Sequence, residues 1–301
     1  MLDFVHLNGQ LVTYEEAARG GIAPGDAGFL HGAGLFETMR ARNGKVFRLR
    51  QHLERLTRSA QVLSVPFSLG EAELAEMVGE LLEADGLDEG DARLRLTVTR
   101  GDLHAATAED PVPPVTLLIS AASFEPYPAA LYEKGMTVVV STYKQNPENP
   151  LTGHKTTSYF DRLLALREAQ QAKAGEALWF TAHFNYLAEG SISNVFIVDK
   201  DGILATPPLF MTEKANHRLC LPGITRQVVL EVATAAGILP HERLLTINDV
   251  LSAKEVFLTN AIMGVMPVTH IEKHVVGDEK PGEITRQLAD GLRARMDEET
   301  K

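Results

Sequence analysis

Hydrophobic and polar positions follow two different rhythms along this chain, and these rhythms predict its strands and helices. In ARLRLTVTRG, the apolar residues Leu94, Leu96 and Val98 alternate with polar ones, which predicts a strand with one buried face. Near the start, FVHLNGQLV predicts a hairpin because Asn8-Gly9 suits a type I′ turn. Further strands are predicted over PVTLLISAAS, MTVVVSTY, ALWFTA, EVFLTN, VMPVTHI and the pair NVFIVDKDGILAT, which has an Asp-Gly turn.

The helical rhythm, with apolar residues three and four positions apart, fills much of the remaining chain. It is clearest in LRQHLERLTRSAQVL, whose stripe contains Leu49, Leu53, Leu56, Ala60 and Leu63. GEAELAEMVGELLEAD and the chain end predict further helices, and LPGITRQVVLEVATAAG predicts one that enters at Pro222-Gly223 and stops at Gly237. Strands and helices mix without a regular βαβ alternation, so the pattern favours an α+β fold over a doubly wound sheet.

The chain is long enough for two domains, since it has 301 residues. The stretch FEPYPAALYEKG has the proline-rich composition of a linker. We therefore predict a first domain over 1–122, a linker over 123–135 and a second domain over 136–301.

Composition narrows the class of protein and its partners. The apolar share of 45% and the charged share of 23% are ordinary for a globular protein. A net charge of −11 with scattered basic residues argues against nucleic acid, and no apolar run approaches the roughly 20 residues that span a bilayer. The single cysteine, Cys220, and the lack of a secretory signal fit a cytoplasmic protein. The histidines show no metal-ligand spacing, so we expect no metal site.

The stretch LTGHKTTSYFDRLLALREA places a lysine, Lys155, directly before a predicted helix. The apolar positions that predict this helix are Phe160, Leu163, Leu164 and Leu166. Thr157 or Ser158 is the predicted N-cap because a hydroxyl can accept a bond from a first-turn amide. Lys155 is either a solvated loop lysine or a candidate for Schiff-base chemistry.

Two features farther along the chain suit the same chemistry as a reactive lysine. Glu189, in YLAEGSISNVFIV, is either a solvated turn residue or a carboxylate that holds a protonated pyridine nitrogen. In LPGITRQ, the amides of Gly223, Ile224 and Thr225 open a helix, and helix N-termini favour phosphate. Most helix starts bind only water, so the phosphate interpretation depends on the other features.

Further residues complete a candidate phosphate site. Thr259 and Asn260 end the strand EVFLTN and can donate hydrogen bonds, while Arg55 lies at the edge of its helix stripe and can supply positive charge. A lysine amine, a carboxylate for a ring nitrogen and a phosphate cup are what pyridoxal 5′-phosphate (PLP) requires of a protein. The residues therefore suggest a PLP enzyme.

A resemblance to a known family supports this interpretation. Successive segments resemble the motifs of the class IV aminotransferases, the fold-type IV PLP enzymes: GDAGFLHGAGLFETMR…GKVFRLRQHLERL, HKTTSYFDRLLAL, LAEGSISNVFIV, LPGITRQ and LTNAIMGVMPV. They run in family order from about Gly25 to Val268. The family includes branched-chain and D-amino acid aminotransferases, (R)-amine transaminases and 4-amino-4-deoxychorismate lyase. The resemblance implies a two-domain fold, with a smaller N-terminal α/β domain that shapes the substrate site and a larger, β-rich PLP-binding domain, in a homodimer.

The resemblance also implies roles for the candidate site residues. Lys155 would form the internal aldimine and later move a proton between the substrate carbon and C4′. Tyr159 would hydrogen-bond the pyridoxal oxygen, and Glu189 would keep the pyridine nitrogen protonated. Arg55 matches the arginine that holds the cofactor phosphate.

The remaining cofactor contacts implied by the resemblance lie in two motifs. Gly223 opens the phosphate helix, and Ile224 and Thr225 match its phosphate-binding amides and hydroxyl. Thr259 and Asn260 match the last contact with phosphate and substrate.

The first half of the chain matches the family less decisively. Its candidate substrate-binding residues are His31, Phe36, Thr38, Arg40 and Arg100. Many members have an aromatic residue at the position of His31 and an acidic residue at that of Ala33. The Thr-Arg-Gly that includes Arg100 resembles D-amino acid aminotransferases and deoxychorismate lyases, but the Arg-x-His carboxylate trap of the former is not visible.

Three functions stay open at this point. The first is an aminotransferase that moves an amino group from an amino acid or amine to a 2-oxo acid through pyridoxamine phosphate. The second is a lyase that eliminates pyruvate from aminodeoxychorismate, and the third is a binding protein that keeps only the fold. We favour the aminotransferase because it is the commoner activity in the family. The polar loop 207–221, with Cys220, is interpreted as an insertion that caps the site or contacts a second subunit.

Overall fold

The computed structural model describes residues 3–105, 114–211 and 217–301 and confirms the α+β fold class. Helices and mixed or antiparallel sheets occur together, as the irregular order of the sequence patterns predicted. Within the described ranges, no helix combines the length and the apolar character needed to cross a membrane.

The chain forms two compact units whose division does not follow a single cut. Unit 1 consists of Met1–Glu125 together with His154–Ser158 and Met296–Lys301. Unit 2 consists of Pro126–Gly153 and Tyr159–Arg295. The short segment with Lys155 therefore belongs to unit 1, whereas the helix that follows it belongs to unit 2.

Unit 1 is built on an antiparallel sheet with the strand order β2-β1-β6-β5-β3-β4. Its strands are β1 (Phe4–Leu7), β2 (Gln10–Thr13), β3 (Gly34–Arg42), β4 (Lys45–Val46), β5 (Asp91–Thr99) and β6 (Leu117–Ser123). Its helices are α1 (Tyr14–Gly20), α2 (Ala27–His31), α3 (Leu49–Val62) and α4 (Glu71–Ala84). The hairpin of β1 and β2 is confirmed, because Asn8 and Gly9 both have the positive φ angles, 52° and 83°, of a type I′ turn.

One face of this sheet forms the core of unit 1. Alternate residues such as Leu35 and Met39 on β3, and Leu94 on β5, are almost fully buried and pack with Leu56 of α3 and Leu81 of α4. The predicted one-sided burial of ARLRLTVTRG is confirmed. Thr38 and Arg40 of β3 and Arg95 of β5 consequently lie on the opposite face of the sheet. Glu37, by contrast, shares the buried face with Leu35 and Met39.

Unit 2 is built on a mixed sheet with the strand order β12-β11-β10-β13-β14-β7-β8-β9, and β15 pairs with β14. These strands are β7 (Met136–Gln145), β8 (Glu176–Thr181), β9 (Leu187–Gly190), β10 (Asn194–Val198), β11 (Leu204–Thr206), β12 (His241–Glu242), β13 (Glu255–Asn260), β14 (Gly264–Ile271) and β15 (His274–Val275). β7 runs parallel to both β8 and β14. Strands β8 and β10 are buried on both faces.

Several helices follow Glu125, and the first of them lies within the segment predicted as a linker. They are α5 (Ala129–Lys134), α6 (Phe160–Gln171), α7 (Ile224–Ala235), α8 (Ile247–Leu251) and the last helix, α9 (Glu283–Glu299). The predicted entry of α7 is confirmed, since Gly223 is its N-cap. Gly237, with a φ of 76°, follows the C-cap Ala236 as the predicted stop.

The predicted start of α6 is wrong. Its N-cap is Tyr159, without a side-chain cap bond, rather than Thr157 or Ser158. The Thr157 hydroxyl donates to the carbonyl oxygen of Gly32 at 2.9 Å, which turns it away from the helix amides. A tertiary contact therefore replaces the local cap that the sequence suggested.

The apolar stripe predicted for α6 is also not its buried face. Ala165 and Ala169 are fully buried against β7 and β8, whereas Phe160 and Leu163 are 74% and 54% exposed. Small residues allow the helix to approach the sheet closely, and the large apolar residues are left on the outside. Helical spacing identified the helix but not the side that packs.

A glutamate, Glu176, lies at the head of β8, where every residue is buried. Its carboxylate accepts hydrogen bonds from the Ser191 amide at 2.9 Å and the Ser193 hydroxyl at 3.1 Å. Burial raises the pKa of Glu176 to about 7 and outweighs these bonds, which act in the opposite direction. The folded chain therefore favours the protonated form of this group.

Replacing Glu176 by glutamine should flatten the dependence of the unfolding free energy on pH. Because the folded pKa of about 7 exceeds the ordinary value of 4.5, the contribution of Glu176 is fully present below 4.5 and is lost as pH rises through 7. Because the pKa is higher in the folded chain by about 2.5, Glu176 changes the free energy of unfolding by roughly 3 kcal/mol across this pH range. Urea unfolding of both proteins from pH 5 to pH 8, at equal m-values, measures the difference, and parallel pH profiles would contradict it.

Candidate active site

The segment with Lys155 adds to the start of β3 in unit 1. The Phe36 amide donates to the Lys155 carbonyl oxygen at 2.9 Å, and the Thr157 amide donates to the Gly34 carbonyl oxygen at 2.9 Å. Leu35 and Thr156 form the β-bridge between these two bonds. The backbone from Lys155 to Thr157 is thus fixed by a strand of the sheet, although the sequence suggested a loop end.

The amine of Lys155 lies near an aromatic side chain that was predicted to shape the substrate site. Its Nζ atom is 4.4 Å from the centroid of the Phe36 ring, and Phe36 is buried. The guanidinium carbon of Arg95 lies 3.8 Å from the same centroid, and its Nε donates to the Thr97 hydroxyl at 3.3 Å. The structure therefore brings together Lys155 and Phe36, and adds Arg95, beside one aromatic ring.

A buried cluster of charged groups surrounds Glu37 in unit 1. Arg55 donates to both oxygens of the Glu37 carboxylate through Nε and Nη2, and the Nδ1 of His52 lies 2.7 Å from Oε2. Burial would raise the pKa of Glu37, but the charge of Arg55 and the bond from His52 lower it to about 2. Burial lowers the pKa of His52, so the neutral ring donates from Nδ1. Arg55 is thus oriented by Glu37, and its contact with a phosphate stays a prediction.

The other predicted substrate residues lie at separate points of unit 1. Arg40 forms an ion pair with Asp91 at 2.6 Å, and Thr38 is partly buried on the same strand, β3. His31 is exposed at the end of α2, and Arg100 is exposed just after β5. Their roles in substrate binding stay predictions.

Glu189 is a buried carboxylate at the end of β9 in unit 2, with 6% of its surface exposed. Its Oε1 accepts from Arg162 at 2.7 Å and from the Gln145 amide at 3.3 Å, and its Oε2 accepts from the Leu221 backbone amide at 2.9 Å. Arg162 also lies 4.3 Å from the ring of Trp179. The carboxylate is charge-paired and held in one orientation, as a partner for a cationic ring nitrogen must be.

Tyr159 is held by the turn that follows Glu189. Its hydroxyl donates to the Ser191 carbonyl oxygen at 3.1 Å. A phenol has one proton, so a bond from Tyr159 to a pyridoxal oxygen requires this proton to change acceptors. The contact of Tyr159 with the cofactor stays a prediction.

A cradle for an anion lies at the start of α7. Gly223 packs so closely on Asn194 that an added Cβ would lie 2.0 Å from the Asn194 side-chain oxygen. Asn194 pairs with Thr259 across β10 and β13, and α7 packs on β13. The Thr259 hydroxyl is buried and has no hydrogen-bond partner among the residues that the structure describes. The buried Thr259 hydroxyl, the first amides of α7 and the buried Thr225 are together suited to bind a phosphate.

The side chain of Asn260 ties two segments of unit 2 together. Its oxygen accepts from the amides of Ile262 and Met263 at 2.9 and 2.8 Å, and its nitrogen donates to the Ile192 carbonyl oxygen at 3.2 Å. These bonds fix the turn after β13. Direct contact of Asn260 with phosphate or substrate stays a prediction.

The loop 207–221 is described except for 212–216, which lies outside the described residues. On either side of that gap, Phe210 and Arg218 form a β-bridge. Cys220 is buried with its Sγ 3.6 Å from the Pro208 carbonyl oxygen. Burial, helped by the nearby charge of Glu189, raises the pKa of its thiol to about 12, which makes it a poor nucleophile.

Three residues near the predicted groups were missed by the sequence analysis. The alternation of β5 predicted which face of the sheet Arg95 lies on, but it indicated no function for this residue. Arg162 lies on α6 between exposed apolar residues, where it resembles a solvated helix charge. For Glu176 the sequence offered one signal, a single acidic residue at the start of an apolar strand, and this signal identifies no hydrogen-bond partner.

The residues of both units fit PLP when each unit is considered by itself. Unit 1 carries an amine, that of Lys155, on a fixed backbone, together with the oriented guanidinium of Arg55. Unit 2 carries the paired carboxylate of Glu189 and the buried hydroxyl of Thr259. An amine, an anion for a ring nitrogen and donors for a phosphate are the groups that this cofactor requires.

Relatives of known name extend over nearly the whole chain. A Methanocaldococcus jannaschii protein, provisionally named a branched-chain-amino-acid aminotransferase, is 33% identical over 94% of this chain and 93% of its own length. A D-alanine aminotransferase of Listeria monocytogenes is 31% identical over 94% and 93% of the two chains. An aminodeoxychorismate lyase of Bacillus subtilis is 29% identical over 94% and 92%.

A solved structure and a family profile agree with these relatives. The T.th. branched-chain amino acid aminotransferase, in a structure with pyridoxamine 5′-phosphate, superposes with a TM-score of 0.86 at 27% identity, over 99% of this chain and 95% of that one. The family described as Amino-transferase class IV matches residues 34–271, which include every motif from β3 to β14. The chain therefore belongs to the class IV aminotransferases.

Proposed function

We propose that this aminotransferase moves an amino group from an amino acid to a 2-oxo acid with PLP bound at Lys155. The observation that carries the proposal is the buried, charge-paired carboxylate of Glu189, held by Arg162 and the Leu221 amide. When bound, PLP supplies an electron-accepting ring conjugated to the substrate amine, and a carboxylate at its ring nitrogen strengthens that property. The name of the T.th. structure, which includes pyridoxamine 5′-phosphate, supports the choice of cofactor.

Each proposed cofactor contact has its own task. The Lys155 amine holds the cofactor covalently and then moves a proton to and from the substrate carbon. Glu189 keeps a proton on the ring nitrogen. Arg55, Thr225 and Thr259 hold the phosphate, with the amides at the start of α7.

The polar face of β3 is the proposed substrate surface in unit 1. Phe36 packs beside the Lys155 amine, and the guanidinium of Arg95 stacks on the same ring. A cation near the amine suits a substrate with a carboxylate group, as amino acids and 2-oxo acids have. The relatives are named for both branched-chain amino acids and D-alanine, so the donor and its handedness are decided by experiment.

The lyase is the second candidate, because a relative at 29% identity is named aminodeoxychorismate lyase. That reaction releases pyruvate and 4-aminobenzoate without an amino acceptor. The aminotransferase is favoured because more than one of the relatives carries that name.

A single amino donor should convert bound PLP to pyridoxamine 5′-phosphate and lose the yellow absorbance, because transamination leaves the amino group on the cofactor. A 2-oxo acid should then restore the absorbance. The measurement follows the absorbance of purified protein mixed separately with L- and D-alanine, L-glutamate, L-leucine and (R)-1-phenylethylamine. The donor that works identifies the substrate class and its stereochemistry.

Lys155→Ala is the control for this experiment, since it removes the proposed attachment and proton carrier while the backbone bonds of residues 155 and 157 to β3 remain. We expect this variant to show no cycle of bleaching and recovery. If no donor bleaches the wild type while aminodeoxychorismate yields pyruvate, the lyase replaces the aminotransferase.

Glu189→Gln should retain the cofactor but lower kcat by roughly 10²–10³-fold, the usual effect of removing a preorganised electrostatic group. Glutamine cannot stabilise a protonated ring nitrogen, and the substitution also leaves the charge of Arg162 beside it without its counter-ion. Steady-state kinetics and a titration with pyridoxamine 5′-phosphate measure the two quantities. Asp199→Asn is the matched control, because Asp199 follows the last residue of β10 and forms an ion pair with Arg243, away from the start of α7. Full activity of Glu189→Gln would remove Glu189 from the mechanism.

The cytoplasm is the proposed compartment. Cys220 is the only cysteine of the chain, and its thiol is buried. A chain of this kind gains nothing from an oxidising environment.

A homodimer is the proposed assembly, as the family resemblance implied. In unit 2, helix α6 exposes Phe160 and Leu163, and Phe184 is 62% exposed. Phe160 and Leu163 lie one turn apart on the same helix, and neighbouring exposed apolar side chains are typical of a protein interface.

Light scattering should therefore give twice the chain mass of 32.9 kDa. Leu163→Asp should shift the particle towards the monomer, because a charge at the centre of an apolar interface is left without a partner. Leu239→Asp is the control, since Leu239 is also strongly exposed, at 71%, but lies away from α6. A wild type that scatters as an active monomer would exclude the dimer.

A further inference from the structure

A tight turn between β9 and β10 organises several of the residues discussed above. We call it the 190–193 turn, after Gly190–Ser193. It is closed by a hydrogen bond from the Gly190 amide to the Ser193 carbonyl oxygen at 2.7 Å. A Cβ added at Gly190 would lie 2.2 Å from the Ser193 hydroxyl and 3.2 Å from the Glu176 carboxyl carbon, so only glycine fits.

The carbonyl oxygens of this turn hold three residues of the candidate site. The Gly190 oxygen accepts from Arg162 at 3.0 Å, and the Ser191 oxygen accepts from the Tyr159 hydroxyl at 3.1 Å. The Ile192 oxygen accepts from the Asn260 side chain at 3.2 Å. The turn therefore holds Tyr159, which is predicted to bond the pyridoxal oxygen, and Arg162, which is the counter-ion of Glu189. It also holds Asn260, which fixes the turn after β13.

Two amide groups of the same turn, those of Ser191 and Ile192, donate to the carboxylate of Glu176. The Ser191 amide donates to its Oε1 at 2.9 Å and the Ser193 hydroxyl to its Oε2 at 3.1 Å. The Ser191 amide also donates to the Ala177 carbonyl oxygen at 3.0 Å. The indole nitrogen of Trp179 donates to the Ser191 hydroxyl at 3.0 Å and supports the turn from the side. The donors of the turn are thus bonded to Glu176, and its carbonyl oxygens are bonded to residues of the candidate site.

We propose that Glu176 is a positioning residue, which fixes the 190–193 turn and through it sets Tyr159, Arg162 and Asn260 for cofactor binding. The inference rests on the proposed function. A fully buried carboxyl group costs stability, and an apolar side chain at the head of β8 would pack more favourably. An acceptor with two oxygens, however, is the side chain that can satisfy several turn donors at once. Glu176 is not among the proposed contacts of substrate or cofactor, so its proposed effect is on geometry.

Two variants of Glu176 separate its hydrogen bonds from its volume. Glu176→Gln keeps the shape and one carbonyl oxygen, which can still accept from Ser191, but it replaces the oxygen that accepts from the Ser193 hydroxyl by an NH₂ group. Glu176→Ala removes both acceptors. Glu255→Gln is the matched control, since the Glu255 carboxylate accepts from the amide and hydroxyl of Thr285, away from the turn.

Amide hydrogen exchange of the full-length chain without cofactor tests the turn directly. The Ile192 amide should exchange at least about tenfold faster in Glu176→Ala than in the wild type, the ratio expected for the loss of one hydrogen bond of about 1.4 kcal/mol. The Ser191 amide should change less, because it also donates to the Ala177 carbonyl oxygen. In Glu176→Gln the increase at Ile192 should be smaller than in Glu176→Ala. The emission of Trp179, the only tryptophan of the chain, should change in Glu176→Ala and stay as in the wild type in Glu255→Gln.

Titration with pyridoxamine 5′-phosphate tests whether the turn matters to the cofactor. Its Kd should rise about tenfold in Glu176→Gln and further in Glu176→Ala, and stay within twofold in Glu255→Gln. Wild-type exchange rates and affinity in a folded Glu176→Gln would overturn the inference while leaving the proposed function intact. Faster exchange with unchanged affinity would also overturn it, because the turn would then be held without serving the site. A wild type that does not bind pyridoxamine 5′-phosphate would instead overturn the proposed function and the cofactor role of Glu176 with it.

Discussion

The ion pair between Glu189 and Arg162 is the interaction on which the candidate chemistry of unit 2 depends. A buried carboxylate without a cation would take up a proton, and a buried guanidinium without a carboxylate would be strongly destabilising. Together they keep an anion at the end of β9, with the Leu221 amide fixing its second oxygen. The elements that supply these donors, α6 and the segment before α7, must therefore keep their places for the carboxylate to keep its charge and direction.

The pKa values of two buried carboxylates in this chain shift in opposite directions, and their neighbours explain the difference. Glu37 faces Arg55 and His52, so its pKa falls to about 2 although it is completely buried. Glu176 faces backbone amides and the Ser193 hydroxyl, and its pKa rises to about 7. Dipoles compensate for burial less completely than a full positive charge does. Glu37 is thus a permanent anion that orients Arg55, whereas Glu176 is a hydrogen-bond acceptor that is neutral or charged around neutral pH.

The sequence predicted what depends on local pattern and missed what depends on tertiary contact. Alternation and turn chemistry gave the β1–β2 hairpin and the buried face of β5, because both are set by neighbouring residues. The resemblance pointed to Lys155 and Glu189, but nothing local tied Glu189 to Arg162, which lies 27 positions earlier. The cap of α6 was wrong because Thr157 bonds to Gly32, 125 positions away. Hydrophobic spacing likewise placed α6 but could not show that its alanines, rather than Phe160 and Leu163, meet the sheet.

The position of Lys155 suits the two tasks proposed for its amine, which are to hold the cofactor and to move a proton. The Phe36 amide donates to the Lys155 carbonyl oxygen and the Thr157 amide donates to Gly34, so the backbone from Lys155 to Thr157 is held against β3 and the side chain is left to move. A side chain with four methylene groups can swing its amine over several ångströms without disturbing the strand. A flexible loop would give the amine the same reach, but it would lose conformational entropy each time the amine returned to its working position. Strand pairing orders this backbone once, during folding, and the cost is not repeated when the side chain moves. A backbone held in a sheet is therefore suited to a lysine whose side chain is proposed to move.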